Sequence, residues 1–547
     1  MVDEFSQYYA EFLTGTYDCV DRIVLNGYFR LAHSPGGFRT WWRTLKGSDA
    51  DLDNAHLMRM AGRVSRRVRA YAQAAQIPLI DCGSGERKDE LAQPYLPADP
   101  TFVGVFLILV GRAPAPVWDV KLSTQGKIRE LAHKPAYVNH YAFHIMDPEW
   151  GHVIFKMCGH PPFALQIIIN GHEYVARRAQ KENLPFTKED NCFTMVADGA
   201  QLARIADTLC SENTVGHLSQ LCDRWAYSAC LCFALDLAEQ QQSGFHYDYS
   251  LYQVEYSRNL LFANGHTLDQ VFQGVVDRTR GPLDLKTLKT IFGSRTRPRR
   301  RARQPRPRVE AVLETPTYDL TVFKLHFGKL TAKIYTKGEH VLRSEVIVHN
   351  VQALAAGRAL AQFGPVIARL QAILNRFLQA LHCIDRACID DGILEAWLTP
   401  TQVGHTRVGG IDPNRVRIRT AMQAVIALAA APDGFRLADL AQQVCALAGQ
   451  SATDYTVRQA AYDLKKFRAK NLVTKVARSR RYTVPVTALR AMMASLVLRD
   501  KVIRPVLANL GKPVEKLKPG EPSDLDEHYL RMQADLRNLF QAVGIAA

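Results

Sequence analysis

IRTAMQAVIALAA (418–430), APDGFR (431–436), LADLAQQVCALAG (437–449), DYTVRQAAYDLKKFRAKN (454–471), LVTKV (472–476), ARSR (477–480) and RYTVP (481–485) form the stretch whose pattern implies both a fold and a surface. The first, third and fourth pieces repeat apolar residues at helical spacing, and APDGFR punctuates the first two helices. LVTKV and RYTVP read as short strands joined by a basic turn. In the third helix Val457, Ala460, Ala461, Leu464 and Phe467 fall on one face. Thr456, Arg458, Gln459, Tyr462, Lys465, Lys466 and Arg468 fall on the other.

Three helices followed by a β-ribbon resemble the winged-helix domains of MarR-like transcription factors. The resemblance implies a domain at 411–486 that contacts DNA. Its first helical turns would offer Tyr455, Thr456, Arg458, Gln459 and Tyr462 to base edges, and its last turns Lys465, Lys466 and Arg468 to phosphates. Arg478, Arg480 and Arg481 would reach the neighbouring backbone or groove. A winged helix that contacts protein, or serves as a structural module, is the alternative.

Working outward, the 547 residues carry a formal charge of +16, which points to a polyanion and most simply to nucleic acid. Part of that excess is local, since Arg295–Arg308 holds eight arginines and no acid. This Arg/Pro-rich stretch cannot bury a core, so 294–308 reads as a linker, with Arg299, Arg300 and Arg301 as candidate phosphate contacts. No positive n-region precedes an apolar segment at the N-terminus, and no run reaches the length of a membrane span. We therefore expect a cytoplasmic protein with no membrane partner. Eleven cysteines without paired CxxC spacing suit reduced, buried thiols.

The fold class expected is multidomain α+β, with mixed N-terminal domains, a β-meander plus helices, and a C-terminal winged helix. The divisions are a helical, basic region at 1–98, an α+β domain with a His-rich segment at 99–293, and the linker. After it come a meander with helices at 309–410, the winged helix at 411–486, and C-terminal helices at 487–547, the last of which can dock at home or make a homodimer. Region 1–98 is expected to begin with helices. Phe38, Trp41 and Trp42 sit at core spacing among cations, and LMRMAGRVSRRVRAYAQAAQ is a basic amphipathic helix whose Arg63, Arg66 and Arg67 suit a phosphate backbone. Asp81, Glu86 and Lys88 have the residue types of a metal nuclease, but their Gly-rich turn reads better as a helix-start charge cluster.

Six histidines, His133, His140, His144, His152, His160 and His172, fall between residues 133 and 172. Cys158, His160 and His172 are competent ligands for a divalent metal, and His160, His172 and Glu173 are the tentative catalytic set, with Glu173 as a base on metal-bound water. Structural, hydrogen-bonding histidines are the competing account.

The strands YDLTVFKLHFG, KLTAKIYTKG and HVLRSEVIVHN form the meander, with Lys333, Tyr335 and Lys337 on one face and Arg343 and Glu345 on one face of the next strand. K-I-Y-x-K-G followed by L-R-x-E-x-x-x-x-N is similar to a segment of plasmid and filamentous-phage replication initiators. That resemblance implies a bacterial mobile element or replicon, and a nicking centre with a histidine pair and a nucleophilic tyrosine, for which His140, His144 and Tyr335 are available. Lys333 and Lys337 are counted as nucleic-acid contacts. The expected function is nucleic-acid binding, DNA before RNA, with two alternatives: a metal-dependent nuclease or nicking enzyme, and an RNA-binding protein of a ribonucleoprotein.

Overall fold

The computed structural model describes residues 3–83, 86, 88–211, 213–280, 288–289, 309–317, 320–327, 329–354, 356–385, 393–429, 431, 434–449, 455–499, 528, 531–532 and 534–535. The linker arginines Arg299, Arg300 and Arg301, and most of the C-terminal helix, lie outside them. The architecture is multidomain α+β, and the chain forms two compact units, one of residues 10–269 with 329–374, the other of 1–9, 270–328 and 375–547. No helix among the described residues is long and apolar enough to cross a membrane.

In chain order the strands are β1 (Leu13–Tyr28), β2 (Leu79–Asp81), β3 (Gly104–Leu122), β4 (Ile128–Asp147), β5 (Gly151–Cys158), β6 (Leu165–Asn170), β7 (Phe186–Glu189), β8 (Cys192–Val196), β9 (Asp248–Phe262), β10 (Leu288–Lys289), β11 (Val309–Thr317), β12 (Leu320–Phe327), β13 (Leu330–Lys337) and β14 (Val341–Val348). The first unit holds a sheet ordered β13-β14-β9-β1-β6-β5-β4-β3-β2. Its neighbours are antiparallel except β2 and β3. In the second unit β11 pairs with β12 and β10 runs parallel to β11.

One element differs from expectation, and two others depart from the regular pattern of their neighbours. Residues 13–28 form a central strand rather than a helix, because Asp18 and Asp21, poor strand formers by themselves, face cations on strands far along the chain. Within RAPAPVWDV (112–120), Pro114 and Pro116 lie inside β3, opposite Tyr137 and Pro135. There β2 covers only Ile108–Val110, so the missing proline N–H groups fall on an unpaired side. The apolar stretch around Cys222–Cys232 is broken, with a helix at Thr214–Trp225, a π-turn at Ala226–Cys230 and a fresh helix at Leu237–Ser243. Nine described cysteines are free.

Phe38, Trp41 and Trp42 are fully buried on the helix Pro35–Lys46, and Phe38 packs 5.1 Å from the Trp118 ring of β3. The basic helix Asn54–Ala74 buries Leu57, Met60, Val64, Val68 and Ala72. In the other unit the helices Val416–Leu428, Leu437–Ala448 and Val457–Ala469 precede a ribbon of Thr474–Lys475 and Tyr482–Thr483, and Phe435 bridges to Tyr482.

Candidate functional site

A buried polar cluster is built across β13, β14, β9 and β1. Register sets Tyr335 opposite Arg343 and Lys333 opposite Glu345. Arg343 is fully buried, its Nη2 lies 2.6 Å from Asp21 Oδ2, its Nε lies 3.5 Å from Glu345, and its Nη1 donates to Asn191 O at 2.7 Å. The Asp21 contact is off the donor direction, so it is an ion pair rather than a directed hydrogen bond. Lys333 (3.1 Å) and the Tyr335 hydroxyl (2.8 Å) complete the shell of Glu345. Arg258 grips Asp18 through two 2.7 Å bonds, and Ser257 donates to Asp21.

The helix Gly171–Lys181 brings His172 into the cluster. A Cβ on Gly171 would stand 1.8 Å from Val20 O, so only glycine lets the helix start against β1. His172 Nδ1 then lies 3.2 Å from Asp21 Oδ1, and Nε2 lies 3.4 Å from the Tyr17 hydroxyl. Burial, then Arg343, holds the His172 ring well below its usual range, so it is neutral. Burial also pushes the Asp21 carboxyl up to about 7 although Arg343 pulls it down.

Cys19, Asp21 and His172 place one ligand atom each within 4.8 Å of one another, a thiol, carboxylate and imidazole set of the zinc type. His172 Nδ1 makes no hydrogen bond. Arg343 already holds positive charge against the same carboxylate, and burial pushes the Cys19 thiol well up, so the residues as they stand form a charge-matched core.

The expected ligand set is not assembled: Cys158 and His160 line a separate cavity, while the partners of His172 are Tyr17 and Asp21. Glu173 is held by Lys188 at 2.7 Å. The Tyr335 hydroxyl is given to Glu345, and His144 pairs with His152 at 3.0 Å, so the histidine pair and the tyrosine are committed to different partners. Two contacts assigned to nucleic acid are tied inside the molecule: Lys333 to Glu345, and Lys337 to Asn191 and Asp190.

Charge satisfaction sorts the basic surfaces too. On the helix Asn54–Ala74, Arg63 pairs with Glu239 and the Ala234 carbonyl, Arg67 approaches Asp236 and the Cys232 carbonyl, and Arg69 pairs with Asp81. Arg59 and Arg66 stay exposed. The helix is therefore a weaker cationic surface than its sequence suggests. Glu86 accepts from Gly83 N and Lys88 starts a short helix, as a charge cluster at a helix start does.

On the helix Val457–Ala469 the balance is the reverse. Its one acid, Asp463, is 1% exposed and takes two 2.9 Å bonds from Arg417 and one of 2.8 Å from the Tyr455 hydroxyl. Tyr455 is thus a core residue, not a base-edge contact, and Val457, expected inside, is 51% exposed. Thr456 and Gln459 cap each other. Lys466 donates to Gly410 O, Arg481 to Gly434 O, and Arg468 lies over the Tyr482 ring. Among the described residues Arg458, Lys465, Arg468, Arg478 and Arg480 are exposed and make no ion pair. The inward acid was missed because its helical position reads as ordinary alternation until Arg417, on another helix, is placed.

The fold and cluster define an α+β protein with a large, mainly antiparallel sheet and an ionic centre. No protein-family model and no curated protein matches the chain. Among solved structures it is similar to that of a rolling circle replication initiator protein from Geobacillus stearothermophilus, at 7% identity over 72% of this chain and 89% of that one, with a TM-score of 0.17. A likeness of that size carries no argument about either fold or activity.

Proposed function

We propose that the protein binds nucleic acid, duplex DNA first, through residues 411–486 acting as a winged helix. The observation that carries this reading is the turned-in acid: Asp463 is neutralised by Arg417, which leaves the outward side of its helix with cations and no acid. Arg458 and Tyr462 lie toward base edges, Lys465 and Arg468 toward phosphates, and Arg478 and Arg480 extend the contact along the ribbon. The similarity of 333–350 to replication initiators supports a setting in a mobile element or replicon.

Binding of random-sequence duplex by the full chain, measured across a salt series, tests it. Affinity should fall steeply with salt, and Lys465→Ala with Arg468→Ala should lower both affinity and slope. A double variant that binds like the parent would sink the proposal. A metal-dependent nuclease or nicking enzyme is the second reading, favoured only by the Cys19, Asp21 and His172 donors. Labelled single- and double-stranded DNA with Mg²⁺, Mn²⁺ or Zn²⁺ tests it, and intact DNA in every lane removes it.

A further inference from the structure

A cavity of about 840 Å³ lies where β9, β1, β6, β5 and β4 run side by side, and it shares no lining residue with the ionic cluster. Register sets Asn26 of β1 opposite Gln166 of β6, and Gln166 opposite Lys156 of β5. Directly opposed residues share a face, so two amides and an ammonium stand in one row across three central strands, and all three line the cavity. Such a row in a sheet is ordinarily apolar or internally paired. Here, among the described residues, none of the three side chains makes a hydrogen bond or ion pair, and each is half-buried. Their bonding capacity is therefore directed at whatever enters.

The remaining walls narrow the chemistry. Arg358, beside β9 at the opposite end of the row from Lys156, adds a second cation, and Asp248 is the one carboxylate in the lining. His140 Nδ1 lies 3.2 Å from Val138 O and His160 Nδ1 lies 3.0 Å from Pro161 O, so each ring gives its proton to a carbonyl and keeps Nε2 as an acceptor. Burial keeps both rings below the usual imidazole range, His140 at about 4, and hence neutral near pH 7. Tyr28 and Tyr249 complete the lining.

An inorganic anion would use the cations and leave the amides idle, and an apolar molecule would strand all of them. A ligand that satisfies the whole set carries an anion at one end and a planar edge of donors and acceptors at the other. We propose that this cavity binds a nucleotide, its phosphate held by Lys156 at the β5 end of the row and its base edge read by Gln166 and Asn26, with Arg358 beyond them as a donor to the far side of the base. The volume falls within the range of about 300–1,000 Å³ usual for small-molecule sites, and paired amides are the side chains that match base edges in both donor and acceptor. The inference is independent of the duplex contact at 457–469. The same nucleotide can arrive free or as the phosphorylated end of a single strand.

Calorimetric titration of the full chain with adenosine, guanosine, cytidine and uridine 5′-monophosphates, with inorganic phosphate, and with a short single strand bearing or lacking a 5′-phosphate separates these sources. Nucleotides should bind more tightly than phosphate. Lys156→Ala should weaken every nucleotide by about tenfold or more, while Lys156→Arg keeps most of the affinity. Gln166→Leu should instead change the ranking of the bases. A 5′-phosphorylated strand that binds as well as the monophosphate assigns the site to strand ends, and a strand that does not bind assigns it to free nucleotides. The proposal is overturned if the folded protein binds no nucleotide or strand at millimolar concentration. It is equally overturned if phosphate alone binds as tightly, or if Lys156→Ala and Gln166→Leu, each melting like the parent, bind unchanged.

Discussion

Arg343 holds two buried acids from one side chain, and its removal should show how much of the sheet unit depends on that link. Arg343→Ala strands Asp21 and Glu345 without their shared cation, an expected loss of about 3–5 kcal/mol in equilibrium denaturation. Arg343→Lys should recover little, since a single ammonium cannot reach Asp21, Glu345 and the Asn191 carbonyl together. Recovery to parental stability would contradict this geometry. The acid limb of stability belongs to other residues. Burial lowers His140 from 6.5 to about 4 and His144 from 6.5 to about 3, so both favour the folded state above pH 6.5 and lose that contribution as pH falls. Asp21 has the opposite sign, because a carboxyl raised from 3.8 to about 7 adds stability below pH 4 that is lost as pH rises through 7. These imidazoles, with His160 and His172 shifted in the same direction, outweigh Asp21 between pH 6.5 and 4, so melting temperature should drop on acidification, and His144→Gln should flatten that drop by up to about 1.4 kcal/mol per pH unit. The facing of Lys333, Tyr335, Arg343 and Glu345 was legible in the alternation of two adjacent strands. The partnership of Asp21 with His172 was not, since it depends on a helix start that only a bare glycine at 171 permits.

At the scale of one element, Val457–Ala469 shows how a helix face is made by what it hides. The three-helix order and the ribbon could be read from periodicity and turn residues, and so could the outward Arg458, Lys465 and Arg468. The inward turn of Asp463 could not, because charged residues are ordinarily assigned to water until a cation from another helix is placed beside them. Asp463→Ala should cost about 1–3 kcal/mol, limited because Arg417 is half-exposed and can turn to solvent. The variant would also free Tyr455, and a loss of DNA affinity exceeding the loss of stability would mark the acid as the anchor that orients the helix. Arg458→Ala should chiefly narrow the affinity gap between preferred and random duplexes, whereas Lys465→Ala should lower both alike. Equal effects from the two would mean the helix lies in a different orientation.

For the molecule as a whole, long-range pairing is what sequence patterns could not supply. β14 was visible as a strand, but its pairing with β9 joins residues on either side of the 294–308 stretch. Removing 329–374 should leave β9 with an open row of backbone donors and acceptors, and the truncated 10–269 fragment should aggregate on expression. Soluble, monomeric fragment in size-exclusion chromatography would show that the sheet closes without β14. The same connectivity carries a kinetic consequence. When β9 leaves the ribosome, roughly eighty residues must still be synthesised before β14 appears, a wait of roughly 4–16 s at usual translation rates. Throughout that interval the nascent chain presents an adhesive flank to its neighbours on the polysome, so the yield of native protein should respond to elongation speed and to holdase chaperones more than to any property of the finished fold.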